Sequence, residues 1–300
     1  MLRAFVVVGL LCGWVTGSSA QQPLCTPSTA LTRLAGVSEA SGIALSRRTP
    51  GIIWSHNDSG APVLFAFDTS GKARGRVPVT GMSVDDWEDL AVGPCAQGSC
   101  LYLADIGDNN RGRRQITIYR VPEPRPEDKA TAPVEALHAV YPDGPRDAEA
   151  LFVAPGGQIL LISKDDPRTT ALYRLRQPAA GRTGKLEFMA RLPLDRATGA
   201  GTSPDGVWVA VRTNNELFLY RTQDLIGGGN AQPRRFDLAA LREPQGEGVA
   251  LGADGLVYLA GEGNGSGTFT TLRCNLSLAG GERSQKSAAG APATGRPNRR

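Results

Sequence analysis

Five times along this chain a short apolar run starts directly behind a polar or acidic step. The fullest version is Asp86-Trp87-Glu88-Asp89-Leu90-Ala91-Val92. Weaker copies are Glu39-Ala40-Ser41-Gly42-Ile43-Ala44-Leu45, Asp147-Ala148-Glu149-Ala150-Leu151-Phe152-Val153, Arg196-Ala197-Thr198-Gly199-Ala200-Gly201-Thr202 and Gln245-Gly246-Glu247-Gly248-Val249-Ala250-Leu251. Counted from Ser41, Glu88, Glu149, Thr198 and Glu247, the copies are spaced 47, 61, 49 and 49 residues apart. Self-similarity at such a period marks a repeat architecture, in which each unit buries its apolar face against the next.

Each copy opens a block of short β-branched or aromatic runs. In the first block these are Gly51-Ile52-Ile53-Trp54, Val63-Leu64-Phe65-Ala66-Phe67 and Gly75-Arg76-Val77-Pro78-Val79. Turn pairs such as Asp205-Gly206 and Asp254-Gly255 separate such runs, and no long helical period interrupts them. Four short strands per block and five blocks in series predict an all-β, five-bladed β-propeller. The Pro- and charge-rich insert over Pro122 to Val134 accounts for the long second block; the alternative is a six-bladed ring with a further blade hidden there. The fifth block lacks a fourth strand, and Ala30 to Ala35, ahead of the first block, resembles one. The ring is therefore expected to close with an N-terminal outer strand.

The cysteines bear on the same closure. Arg3, the apolar run Ala4 to Cys12 and Ser18-Ser19-Ala20 read as a cleaved signal peptide over 1–20, too short in its apolar core to span a membrane. Export to a periplasmic or secreted location makes Cys25, Cys95, Cys100 and Cys274 an even set in an oxidising compartment. Cys95 and Cys100 flank a hairpin-sized loop, which leaves Cys25 to join Cys274 across the ends of a propeller spanning 21–276. From Ser277 to Arg300 the chain is Ala/Gly/Ser/Pro-rich, with five basic residues against Glu282 alone, enough to account for the net charge of +4. Such a tail lacks the apolar content to order itself. No basic stripe interleaved with aromatics points to nucleic acid, no later run could span a membrane, and the propeller is expected to be a monomer.

In a propeller blade the start of the first strand and the end of the second share one face of the disc. That face should gather Asp86 and, one step deeper, Glu88, Glu149 and Glu247, together with His56, Asn57, Asp58, Asp105, Asp108, Asn109, Lys164, Arg212 and Glu262. Three glutamates converging on a narrow channel must raise a pKa, recruit a cation, or pair with Lys164, Arg196 or Arg212. Oxygen ligands of this kind suit Ca²⁺ or Mg²⁺, so Glu88, Glu149 and Glu247 are candidate metal ligands. His56 and Asp105 are candidate proton-transfer groups, and Asn57, Asp58, Asp86, Asp108, Asn109, Lys164, Arg212 and Glu262 are candidate ligand-binding groups. His138, in an expected outer strand, has no such position.

The motifs Ser41-Gly42-Ile43-Ala44, His56-Asn57-Asp58-Ser59-Gly60, Asp86-Trp87-Glu88-Asp89-Leu90-Ala91, Asp105-Ile106-Gly107-Asp108-Asn109 and Asp147-Ala148-Glu149-Ala150-Leu151 together resemble a family of exported bacterial β-propeller proteins, over roughly Ser38 to Arg273. The resemblance implies fold and export rather than an activity. A looser likeness runs to the propellers of phytase-like esterases, gluconolactonases and regucalcin, where acidic residues at the channel mouth hold Ca²⁺; only that general pattern matches. The expected function is an acidic channel-mouth site for a divalent cation or polar small ligand, as a metal-assisted phosphoesterase or lactonase. The alternative from a different class is a platform on the same face that binds a protein or glycan without chemistry.

Overall fold

A computed structural model describes residues 24–176, 182–228 and 231–277. The expected leader and nearly all of the basic tail lie outside the described residues. Strands β1 (Cys25–Pro27) and β2 (Thr32–Leu34) come first. The first repeat then supplies β3 (Ala40–Leu45), β4 (Ile52–Asn57), β5 (Val63–Asp68) and β6 (Ala73–Pro78). The second supplies β7 (Trp87–Cys95), β8 (Gly98–Asp105), β9 (Ile116–Pro122) and β10 (Glu135–Val140). The third supplies β11 (Ala148–Ala154), β12 (Gln158–Ser163), β13 (Ala171–Leu175) and β14 (Gly184–Arg191). The fourth holds β15 (Gly199–Thr202), β16 (Trp208–Arg212), β17 (Glu216–Arg221), a one-turn helix α1 (Thr222–Ile226) and β18 (Arg234–Asp237). After a 3₁₀ turn at Ala239–Leu241, the fifth repeat has β19 (Gln245–Leu251), β20 (Leu256–Glu262) and β21 (Gly267–Cys274).

Each repeat is an antiparallel meander, and the architecture is that of a β-propeller. The meanders of the second and third repeats merge into one eight-stranded sheet through a short parallel contact between β10 and β14. The first strands contact one another in cyclic order, β3 with β7, β7 with β11, β11 with β15, β15 with β19 and β19 with β3. These inner strands are covered on both faces, which is why they read as continuous apolar runs, and β11 is buried along its whole length. Outer strands such as β6 are largely exposed.

The core is a series of layers between neighbouring repeats. Leu64, Trp54, Leu90 and Leu103 join the first repeat to the second, and Tyr102, Leu151 and Tyr173 join the second to the third. The layer of Leu34, Ile43, Phe65, Tyr258 and Phe269 joins the fifth back to the first. The Pro122–Val134 insert forms no strand of its own. Thr131 donates its N–H to the Pro78 carbonyl at 2.9 Å, and Thr80 bridges to Pro133, so the insert lies along the outer edge of the first repeat.

Closure follows the expectation from the sequence ends. Both β1 and β2 pair antiparallel with β21, Cys25 opposite Cys274 and Thr32 opposite Phe269. The bridges Cys25–Cys274 and Cys95–Cys100 are both formed. The first spans a sequence separation of 249, the case in which a cross-link most restricts the unfolded chain. Non-reducing peptide mapping should link Cys25 to Cys274. The double variant Cys25→Ser/Cys274→Ser should lose about 3–5 kcal/mol in denaturant unfolding; an unchanged midpoint would show that strand pairing alone closes the ring.

Candidate functional site

The repeated motif encodes a local irregularity. Register shifts lie between Ala40 and Ile43 in β3, Trp87 and Asp89 in β7, Ala148 and Ala150 in β11, and Gly246 and Val249 in β19. Each places Ser41, Glu88, Glu149 or Glu247 in a β-bulge, a device that re-aims a side chain and ends regular pairing. Glu88, Glu149 and Glu247 are thereby gathered at one end of the central channel, where each is almost fully buried. Deeper, the channel closes to a void of 20 Å³ lined by apolar residues such as Ile43, Leu90, Val153 and Leu251. The mouth therefore has a floor.

Lys164, just beyond β12, supplies the counter-charge. Its ammonium donates to Glu149, and its charge also acts on Glu88 and Glu247. One positive charge does not neutralise three buried glutamates. Burial first, then the Glu149 and Asp86 charges, pushes Glu88 up to about 10, and a hydrogen bond joins Glu88 to Asp86. Burial raises Glu149 to about 8 against the pull of Lys164. Glu247 is raised by burial, opposed by the Gln245 amide donating to its Oε1 at 2.7 Å. Burial acts to lower the pKa of Lys164, but Glu149 outweighs it. Gly107 lines the Glu88–Asp86 pair so closely that a Cβ there would come within 2.2 Å of Glu88 Oε1 and 2.4 Å of Asp86 Oδ2; any larger residue would part the two carboxyls.

A second acidic group lies on the side of the first and fifth repeats. Asp58 is pushed up to about 6 by burial and by Glu39, and Glu262 is raised by burial and by Glu247 and Glu39. On the side of the fourth repeat the mouth widens into an open basin of 760 Å³, whose lining includes Lys164, Arg196, Asn214, Asn215, Gln245 and Glu247.

The other candidates have different positions. His56 is fully buried, stacks on Trp87 at 3.9 Å, accepts the Gly42 N–H at Nε2 and therefore donates from Nδ1 to the Asn57 carbonyl. Burial lowers its pKa to about 3, so the imidazole is neutral and neither nitrogen is free for a substrate proton. Asp105 accepts from the Asp86 N–H and from Arg113. Asp108 accepts from the N–H groups of Gly112 and Arg113, fixing the loop that follows β8, and Asn109 is exposed on that loop. Asn57 accepts the N–H groups of Ser38 and Glu39. Arg212 is fully buried, paired with Glu243 at 3.0 Å and bonded to the Ala260 carbonyl. These residues build the walls of the mouth.

The residue that reading by motif overlooks is Asp89. Fully buried on β7, it accepts the N–H groups of Leu90 and Leu151 at 2.8 Å each and of Ala200 at 3.2 Å. One carboxylate thus ties together β7, β11 and β15. Burial pushes its pKa well up, against the three donors. The signal was present, since the other copies carry Gly42, Ala150, Gly199 and Gly248 at the equivalent step.

As placed, Glu149 is engaged by the Lys164 ammonium and Glu247 by the Gln245 amide, not by an ion. Among the described residues no three His, Cys, Asp or Glu side chains are arranged to hold a metal ion. A divalent ion would have to displace both the Lys164 ammonium and the proton between Glu88 and Asp86.

Two measurements check this account. The folded state holds protons on Glu88 and Glu149 that the unfolded chain releases above the ordinary glutamate value of 4.5. Stability should therefore fall as pH rises from 5 towards 10, and Glu88→Gln should flatten that fall and raise Tm at pH 9; a wild-type Tm that climbs over this range contradicts the assignment. Asp89→Asn must leave at least one buried N–H without an acceptor, at a cost of about 1–3 kcal/mol in urea unfolding.

No protein-family model matches this chain, and no curated protein matches it. Among solved structures it is similar to the virginiamycin B lyase of Staphylococcus aureus, at 13% identity and a TM-score of 0.41, covering 76% of this chain and 66% of that one. It is also similar to the PQQ-bound aldose sugar dehydrogenase of Streptomyces coelicolor, at 12% identity and 0.49, covering 84% and 98%. The apo aldose sugar dehydrogenase of Escherichia coli aligns at 9% identity and 0.48, covering 82% and 99%. Likeness at this level carries no reaction or ligand over to this chain.

Proposed function

We propose that the chain is an exported, monomeric, five-bladed propeller whose channel mouth binds an uncharged, hydroxyl-rich small molecule and performs acid–base chemistry on it. The observation that carries this reading is the set of three buried glutamates around Lys164, opening onto the 760 Å³ basin. A carboxyl group held protonated near neutral pH serves as a proton donor. Glu88 has that character and Asp86 is its hydrogen-bonded partner. Lys164 offers positive charge to an oxygen on which negative charge develops. Asn214, Asn215 and Gln245 offer amides to ligand hydroxyls.

Of the two ester classes expected from the sequence, a sugar lactone suits this site better than a phosphomonoester. A lactone brings no charge into a carboxyl cluster, whereas a phosphate dianion is repelled by every ionised member of it. The test is turnover of aldonolactones followed by proton release, with aryl phosphates in parallel. Lys164→Met and Glu88→Gln should each lower kcat/KM by about 100-fold or more, with the circular dichroism spectrum unchanged. Saturable binding of polyols or glycans without turnover would assign the face to recognition alone; neither turnover nor binding would overturn the reading.

A further inference from the structure

The face of the disc opposite the mouth carries positive charge that no carboxylate among the described residues pairs with. Arg212 closes β16 beside the mouth, so Trp208, which opens that strand, lies at the far end. Trp208 pairs with Arg221 across β16 and β17, and Leu219 pairs with Arg234 across β17 and β18. Because side chains alternate along a strand, this register puts Trp208, Arg221 and Arg234 on the same side of the sheet. The two guanidinium carbons lie 4.1 and 5.0 Å from the centroid of the Trp208 ring.

Two cations thus share one aromatic ring. Among the described residues neither forms an ion pair. Arg234 donates from Nη1 to the Asn275 carbonyl at 2.9 Å, but its Nη2 is buried with no partner. Other partly buried arginines are matched, Arg120 by Glu135, Arg146 by Asp143 and Arg174 by Glu187. Burial, and then the Arg221 charge, lowers the pKa of Arg234. A guanidinium donor without an acceptor is costly, and an anion approaching from the exposed Arg221 would offset the repulsion between the two cations.

We propose that Arg221 and Arg234, braced on Trp208, form an oxyanion-binding site on the face opposite the channel mouth. Paired guanidinium forks match the oxygens of a phosphate, sulfate or carboxylate group. The aromatic ring holds both cations in place without neutralising them. The inference stands apart from the reading of the mouth.

The mature full-length protein should be titrated with inorganic phosphate, sulfate and acetate at constant ionic strength set with sodium chloride, following Tm and binding heat. A saturable rise in Tm is expected. Arg234→Gln and the more exposed Arg221→Gln should each weaken binding about tenfold or more, while Lys164→Met leaves it unchanged. Phosphate and sulfate ahead of acetate would identify a tetrahedral dianion, and acetate equal or ahead a carboxylate. No saturable response to any of the three, or a response that persists undiminished in Arg221→Gln, overturns the proposal. Arg221→Gln carries the test even if Arg234→Gln does not fold.

Discussion

The mouth depends on how the inner strands meet at the axis, and there the decisive interaction is the Asp89 carboxylate. Inner strands that crowd a channel bring backbone N–H groups close together with no room for water, and each unpaired donor costs free energy. Asp89 accepts three of them from three different strands. Gly42, at the same step of the first repeat, leaves the space it occupies, since a Cβ there would lie 2.5 Å from Asp89 Oδ1. Trp87 donates its indole N–H to the Asp89 carbonyl and stacks on His56, which in turn accepts the Gly42 N–H. First and second repeats thus meet through the His56–Trp87 ring stack and the close approach of Gly42 to Asp89, each held by a hydrogen bond within its own repeat, and the floor of the mouth rests on that contact.

Above that floor the electrostatics follow from crowding. Bulges in β7, β11 and β19 bring three glutamates to one place, and the fold answers their repulsion by two routes at once, a neighbouring ammonium and retained protons. The two routes have different consequences. Lys164 keeps a positive charge in the site, whereas the raised pKa values of Glu88 and Glu149 make stability depend on pH.

Much of the fold was legible in the sequence because it rests on what repeats. The apolar runs return at intervals of 47 to 61 residues, their turn residues recur, Cys25 and Cys274 lie at the two ends of the repeats and Cys95 and Cys100 flank one hairpin, so strand order, closure by the N-terminal segment and both disulfides could be read directly. The gathering of Glu88, Glu149 and Glu247 was legible for the same reason, as one step of the second, third and fifth repeats, with Lys164 at the end of a second strand on the same face. What the pattern could not convey was which polar groups the fold itself consumes. His56 looked free because neither the Trp87 ring nor the Gly42 N–H is adjacent to it in sequence, and Arg212 looked like a ligand contact because Glu243, its partner, lies 31 residues away. Long-range pairing of buried polar groups leaves no local mark.

The distinction bears on where function resides in such a chain. What recurs from repeat to repeat, the short run behind a polar step and, in four of the five, the bulge in β3, β7, β11 or β19, determines strand geometry around the ring. Beside the three glutamates at one repeated step, the groups that make the mouth asymmetric occur in single copies: Asp89 in the second repeat, Lys164 in the third, the amides Asn214 and Asn215 in the fourth. Each departs from the residues at the same step elsewhere, and the ring converts those departures into one asymmetric site, because equivalent positions in every repeat face the same axis. A lysine at the end of β12 can therefore meet glutamates from β7 and β19 that are distant in sequence. The same reasoning holds on the opposite face, where Trp208, Arg221 and Arg234 belong to one repeat and break the pattern there.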